Sequence, residues 1–223
     1  MTSSIMLPTA TISKDAKQIA TGLLKIGSVK FNMDEPFTWV SGIRSPIYCD
    51  NRIINSHVDA RKVVVGAFVQ EIERLYPEVE VIAGVATGGI PFASYVAAAM
   101  DLPMIYVRER PKEHGMKKQI EGEAHANAKV VLIEDHISTG GSSLKAAAAI
   151  KNEGLDLLGL ISIMQYGFGT AFQRFSDAQV KFSSLCDLDT VVEVAVSEGS
   201  LTADDRTSIL KFKADPSGWI GTR

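Results

Sequence analysis

Two adjacent carboxylates, Glu134 and Asp135, follow a run of four apolar residues, Val130 to Ile133. His136, Ile137, Ser138, Thr139, Gly140, Gly141 and Ser142 then lead into a segment with helical spacing. Carboxylates accept hydrogen bonds, so the pair can hold vicinal sugar hydroxyls or help position Mg²⁺. The two glycines permit a backbone that other residues adopt only at a cost. The N–H groups of such a turn, with a helix start behind them, converge on one place and suit a phosphate. A diol site and a phosphate site within one turn point to a sugar phosphate. The chain contains neither G-x-x-x-x-G-K nor G-x-G-x-x-G, which excludes a Walker A loop and a dinucleotide fingerprint.

Three further segments carry residues of chemical interest. Gly84 to Pro91 (GVATGGIP) also follows an apolar run, and its backbone amides around Thr87 and Gly88 can cradle a second phosphate group. Residues 108–126 contain almost no core-forming side chains. A stretch of that length between regular elements is usually functional or disordered. Its Arg108–Lys118 part has five basic side chains against two acidic ones, plus His114. Phe37 to Arg52 (FTWVSGIRSPIYCDNR) combines aromatic residues with Ser-Gly and Ser-Pro turns. His57 and His125 read as ordinary surface or packing histidines, and Trp39 and Trp219 as packing residues.

Elements must position these groups. Ala16, Ile19, Ala20, Leu23, Leu24 and Ile26 predict a helix over 14–26, with Ser13 as cap and Gly27 as stop. Residues 28–54 read as turns and a hairpin outside the main sheet, broken by Pro36, Gly42 and Pro46. Residues 58–75 predict a helix ended by Pro77. Strand and helix then alternate: strands at 79–85, 104–107, 130–133 and 157–164, and helices at 91–100 and 143–152. Strands that are apolar nearly throughout are buried on both faces, as in a parallel sheet covered by helices. Helices are expected at 189–198 and 203–212, with a short strand near Val180 to Phe182.

The bulk numbers bound the function. A chain of 223 residues with 46% hydrophobic content can bury a core without staples. A net charge of −3 argues against bulk nucleic-acid binding. Cys49 and Cys186 have no metal-ligand spacing and read as reduced thiols in a cytoplasmic protein. No stretch is apolar enough to span a membrane, and the N-terminus does not resemble a secretory signal. We expect one domain over 1–223. It comprises an N-terminal helix and hood (1–55), a core (56–170) holding the loop 108–126, and a C-terminal strand and helices (171–223).

The segment Val130–Ser142 closely resembles the phosphoribosyl-pyrophosphate (PRPP) motif of type I phosphoribosyltransferases. That resemblance implies an α/β fold with a mostly parallel central sheet flanked by helices, a small N-terminal hood and a long flexible catalytic loop. It assigns the ribose hydroxyls to Glu134 and Asp135, and the 5-phosphate to the turn from Ser138 to Ser142, with His136 and Ile137 beside it. Ala86–Gly89 resembles the family's pyrophosphate loop, where a cis peptide is expected between Ala86 and Thr87.

The acceptor is indicated by two other resemblances. Arg108, Lys112 and His114, in R-x-x-x-K-x-H-G, are similar to the catalytic loop of orotate phosphoribosyltransferases. S-G-x-x-S-P at Ser41–Pro46 is similar to their hood. This implies transfer of the phosphoribosyl group from PRPP to orotate N1, with Lys112, His114 and Asp135 in catalytic roles. Tyr48, Cys49 and Ser138 would line the orotate pocket. Mg²⁺ would be bound mainly through PRPP, with Asp135 as candidate protein ligand. The enzyme would be a homodimer with shared active sites. Where many relatives have a lysine before the S-G pair this chain has Val40. Glu109 and Gln165 stand where some relatives have a lysine and an arginine. Arg44 and Arg52 are therefore candidates to supply charge toward the orotate carboxylate or the pyrophosphate. Two alternatives differ in function: a phosphoribosyltransferase for a purine or uracil, and a PRPP-sensing regulatory protein. The loop lysine and histidine weigh against the sensor.

Overall fold

A computed structural model describes residues 14–39, 41–110 and 119–221. Helix α1 (Lys14–Lys25) buries Ile19, Ala20 and Leu23 along one face and ends before Gly27. The hood follows as four short strands: β1 (Val29–Phe31), β2 (Phe37–Thr38), β3 (Arg44–Ser45) and β4 (Ile47–Cys49). They form two antiparallel pairs, β1 with β4 and β2 with β3, apart from the main sheet. A 3-10 helix (Asn51–Ser56), capped by the Asp50 side chain, leads into α2 (Val58–Leu75).

The core then alternates β5 (Val81–Val85), α3 (Gly89–Met100), β6 (Met104–Val107), β7 (Ile120–Glu121), β8 (Lys129–Ile137), α4 (Gly141–Asn152) and β9 (Asp156–Gln165). The chain closes with α5 (Gly169–Asp177), β10 (Phe182–Asp187), α6 (Leu188–Ser197) and α7 (Ala203–Ala214). The six-stranded sheet runs β10-β9-β8-β5-β6-β7 and is parallel except for β7. Alternate residues of β8 feed opposite layers. Val131 and Ile133 pack with Phe68 and Phe92 on one side. Val130 and Leu132 pack with Ile150 and Phe175 on the other. This two-sided burial is the reason the strands read as continuous apolar runs.

Four elements differ from expectation. Residues Glu134–Ile137, the first three polar, continue the β8 ladder, His136 opposite Met164 and Ile137 opposite Gln165, so the strand outlasts its apolar stretch. Helix α5 was not expected: it is only nine residues long and buries just Ala171 and Phe175. The strand expected near Val180–Phe182 runs instead from Phe182 to Asp187 and joins the main sheet beside β9. As an edge strand it carries Ser183, Ser184 and Asp187, which hide it from an apolar pattern. Within residues 108–126, Ile120 and Glu121 form an antiparallel edge strand against Val107 and Tyr106. No helix among the described residues is long and apolar enough to cross a membrane.

Candidate active site

In strand order, β6 lies on one side of β5 and β8 on the other, so the ends of β5 and β8 flank a topological switch point. Ligands of open α/β sheets bind at such a crevice. Strand β8 outruns β5 there. Their pairing ends at Ile133 opposite Gly84, which leaves the Asp135 backbone without a strand partner on that side. Its N–H donates to Glu134 Oε1 at 3.2 Å, and its carbonyl accepts from Asn51 Nδ2 at 2.7 Å. Leaving such a buried carbonyl unpaired would cost about 1–3 kcal/mol.

The two carboxylates are both buried yet shifted in opposite directions. Burial pushes the Glu134 carboxyl well above its ordinary value, and the neighbouring Asp135 charge adds to this. Ser143 Oγ donates to Glu134 Oε2 at 2.9 Å, but this only partly offsets the burial. Burial opposes the charge of Asp135 as well. There the hydrogen bonds and charge of His136 prevail and hold the carboxyl below its usual range. The His136 N–H donates to Asp135 Oδ1 at 2.8 Å. His136 Nδ1 stands 3.2 Å from Asp135 Oδ2, poorly aligned for a linear bond. Burial thus biases Glu134 toward its protonated form, while His136 biases Asp135 toward its charged form. Together they can donate to one sugar hydroxyl and accept from another.

The turn after β8 is braced from behind. Gly140 has a φ of 75°, and a Cβ there would strike the Phe175 ring at 2.6 Å. Arg174 donates to the Thr139 carbonyl at 3.2 Å. The unexpected helix α5 thus supports the turn that opens α4, whose first N–H groups lack a side-chain cap. Free N–H groups at a helix start suit an anion.

The Ala86–Gly89 loop lies directly against the same strand end. The peptide between Ala86 and Thr87 is cis, where the sequence led us to expect it. A Cβ on Gly88 would collide with the Asp135 carboxylate, and one on Gly89 with the Ile133 carbonyl. Thr87 and Gly88 are thereby brought to Asp135, and the start of α3 adds a second set of helix-terminal amides.

The hood brings some of the remaining residues near and leaves others apart. Cys49 is buried, and burial pushes its thiol well above the ordinary value. Tyr48 is 41% exposed and lies 5.5 Å from the Phe37 ring. Arg52 binds both Asp50 oxygens, at 2.6 and 2.8 Å, and its charge is felt at His136. Any anion reaching Arg52 must therefore share it with Asp50. Arg44 is exposed on the β2–β3 hairpin. At the base of the basic loop, Arg108 and Gln119 exchange two hydrogen bonds, at 2.9 and 2.8 Å. Arg108 also pairs with Glu121 at 3.4 Å. Lys112 and His114 lie outside the described residues, as does Val40.

Some contributors were missed in the sequence. Ser143 holds Glu134, Asn51 holds the Asp135 carbonyl, and Phe175 and Arg174 brace the turn. Asn51, set between Asp50 and Arg52 right after the hood strand, had a polar signal but no motif. Among the described residues no three His, Cys, Asp or Glu side chains gather to hold a metal. An ionised Asp135 beside Glu134 still suits a hard cation that takes most of its oxygens from a bound phosphate ester.

A phosphoribosyl transferase domain model matches residues 54–197. An orotate phosphoribosyltransferase of Streptococcus pneumoniae is 46% identical over 204 residues, covering 92% of this chain and 97% of that protein. The chain belongs to the orotate phosphoribosyltransferase family. A Listeria monocytogenes orotate phosphoribosyltransferase is 43% identical over 91% of the chain and 97% of its own length. Among solved structures, an orotate phosphoribosyltransferase from Aeropyrum pernix has a TM-score of 0.72 at 27% identity, covering 82% of this chain and 99% of that one. UMP synthase from Leishmania donovani has a TM-score of 0.76 at 25% identity, covering 89% of this chain and 42% of that one. The carboxylate pair and glycine turn thus sit on the fold that those proteins share.

Proposed function

We propose that this protein transfers the phosphoribosyl group of PRPP to orotate, giving orotidine 5'-monophosphate and pyrophosphate in pyrimidine (UMP) biosynthesis. The observation that carries the reading is 46% identity to an orotate phosphoribosyltransferase over 92% of the chain. It is joined to two adjacent buried carboxyls, shifted in opposite directions, beside two glycine loops.

The roles follow from the chemistry. Glu134 and Asp135 hold the ribose hydroxyls. The turn Ser138–Ser142 takes the 5-phosphate, flanked by His136 and Ile137, and Thr87 and Gly88 take the pyrophosphate. Cleaving the C1 bond builds positive charge on the ribose and negative charge on the leaving group. The preorganised amides and the basic residues Arg108, Lys112 and His114 stabilise that negative charge. His114 gives a proton to the pyrophosphate. Mg²⁺, when bound, would neutralise the pyrophosphate, with Asp135 its candidate protein ligand. Tyr48, Cys49 and Ser138 line the orotate pocket, with Arg52 and Arg44 supplying charge toward its carboxylate.

The whole chain works as one domain, in a cytoplasmic homodimer whose loop serves the neighbour's site. Closure of the loop excludes water during transfer. Incubation with PRPP, Mg²⁺ and orotate should release orotidine 5'-monophosphate and pyrophosphate in equal amounts. Pyrophosphate without nucleotide, or neither product, would refute the assignment.

A further inference from the structure

Asn51 occupies a fully buried polar junction between the hood and the carboxylate strand. Its Nδ2 donates to the Asp135 carbonyl at 2.7 Å, across 84 residues of chain. Its Oδ1 accepts from Ser28 Oγ at 2.6 Å and faces Cys49 Sγ at 3.5 Å. Ser28 is fully buried too, and it also bonds the hood backbone. Its carbonyl accepts from the Asp50 N–H at 2.8 Å, and its hydroxyl reaches the Asp50 carbonyl at 3.2 Å.

The junction joins two segments that sequence alone assigns to different ligands. Tyr48 and Cys49, immediately before it, belong to the pyrimidine pocket. Asp135 belongs to the ribose site. The backbone of Asp135 has no strand partner on the β5 side, so Asn51 fills a position that a sheet neighbour would otherwise hold. An amide is well suited to the place: it donates to a carbonyl on one side and accepts a hydroxyl on the other. Both polar atoms of its head group have a structural partner, and the side chain is fully buried. A buried, satisfied network of this kind rigidifies the segments it joins.

We infer that Asn51, held by Ser28, is a positioning residue that locks the hood strand to the ribose-binding strand, so that filling the donor site shapes the acceptor site. It touches neither substrate. Its effect passes through the Asp135 main chain on one side and the Cys49–Asp50 backbone on the other. This rests on the proposed assignment of PRPP and orotate to the two pockets.

The test is the thermodynamic coupling between the two ligands. Orotate affinity is measured by calorimetry on the intact enzyme with Mg²⁺, without and with a saturating, non-reactive carbocyclic analogue of PRPP. Turnover of orotate by the unaltered enzyme is checked first, so failure of the functional reading is seen separately. The unaltered enzyme should bind orotate at least tenfold more tightly with the analogue present. In Asn51→Ala that factor should fall to below threefold, while affinity for the analogue alone changes less than threefold. Ser28→Ala keeps the bond to Asp135 and should give an intermediate factor. Coupling that survives in folded Asn51→Ala overturns the inference, as does absence of coupling in the unaltered enzyme. If Asn51→Ala does not fold, Ser28→Ala decides: a reduced factor supports the inference, and a factor equal to that of the unaltered enzyme overturns it.

Discussion

Gly88 abuts the Asp135 carboxylate so closely that no side chain fits between them. The loop proposed for pyrophosphate and the acid proposed for ribose are therefore one packed unit. Gly88→Ala must displace one or the other, and overpacking of this kind costs about 1–3 kcal/mol. We expect the KM for PRPP to rise at least tenfold, read from initial rates at saturating orotate. An unchanged KM would show that the two loops act independently.

Glu134 and its neighbour make a prediction about pH. Its native value is raised by burial, so folding favours the protonated acid. The resulting stability is fully present below the ordinary carboxylate value of 4.5 and is lost as pH rises through the raised native value. Glu134→Gln keeps an acceptor oxygen without a charge to bury. Its melting temperature, relative to the unaltered protein, should therefore be higher at pH 9 than at pH 5. A melting difference independent of pH would contradict the raised value of Glu134.

Asp135 has the opposite sign. Its native value is lowered because His136 outweighs burial. The stability it contributes is present above the ordinary aspartate value of 3.8 and is lost as pH falls through the lowered native value. His136→Ala removes the imidazole partner and exposes the burial penalty. The variant should lose more stability near neutral pH than at strongly acidic pH, by thermal melting. Equal losses at both would mean that His136 merely packs against Tyr166, whose ring centroid is 6.2 Å away.

Lys112 is the strongest candidate for stabilising the leaving group. Removing a charge-stabilising contact of this type costs about 3 kcal/mol, or roughly a hundredfold in rate. Lys112→Ala should show that loss in kcat at saturating substrates. A nearly unaltered kcat would remove the loop lysine from the chemistry.

Sharing of sites between subunits has its own test. A Lys112→Ala chain and an Asp135→Ala chain, mixed into proven heterodimers, should recover activity that neither homodimer has. No recovery would mean that each chain completes its own site.

The parts of the molecule legible in the sequence are those where one local rule decides. The helix at 58–75 and the alternation from β5 to β9 follow from periodic apolar residues and two-sided burial. The turn at Ser138–Ser142 was legible because glycines and carboxylates stood together after a strand. Other parts rest on tertiary neighbours. Asn51 became visible as a site residue only because β8 outruns β5 and exposes a carbonyl. Phe175 acts through a space left by Gly140, 35 positions away, which no local pattern encodes. The opposite shifts of Glu134 and Asp135 likewise depend on depth of burial and on His136, which no local pattern encodes.

The acceptor assay is the most direct test of the central claim. Initial rates are measured spectrophotometrically with PRPP and Mg²⁺, using orotate, uracil and hypoxanthine in parallel at equal concentration. The account predicts turnover of orotate and, at most, rates a hundredfold lower for the other two bases. Equal or faster turnover of uracil or hypoxanthine, or no turnover of orotate, would contradict it.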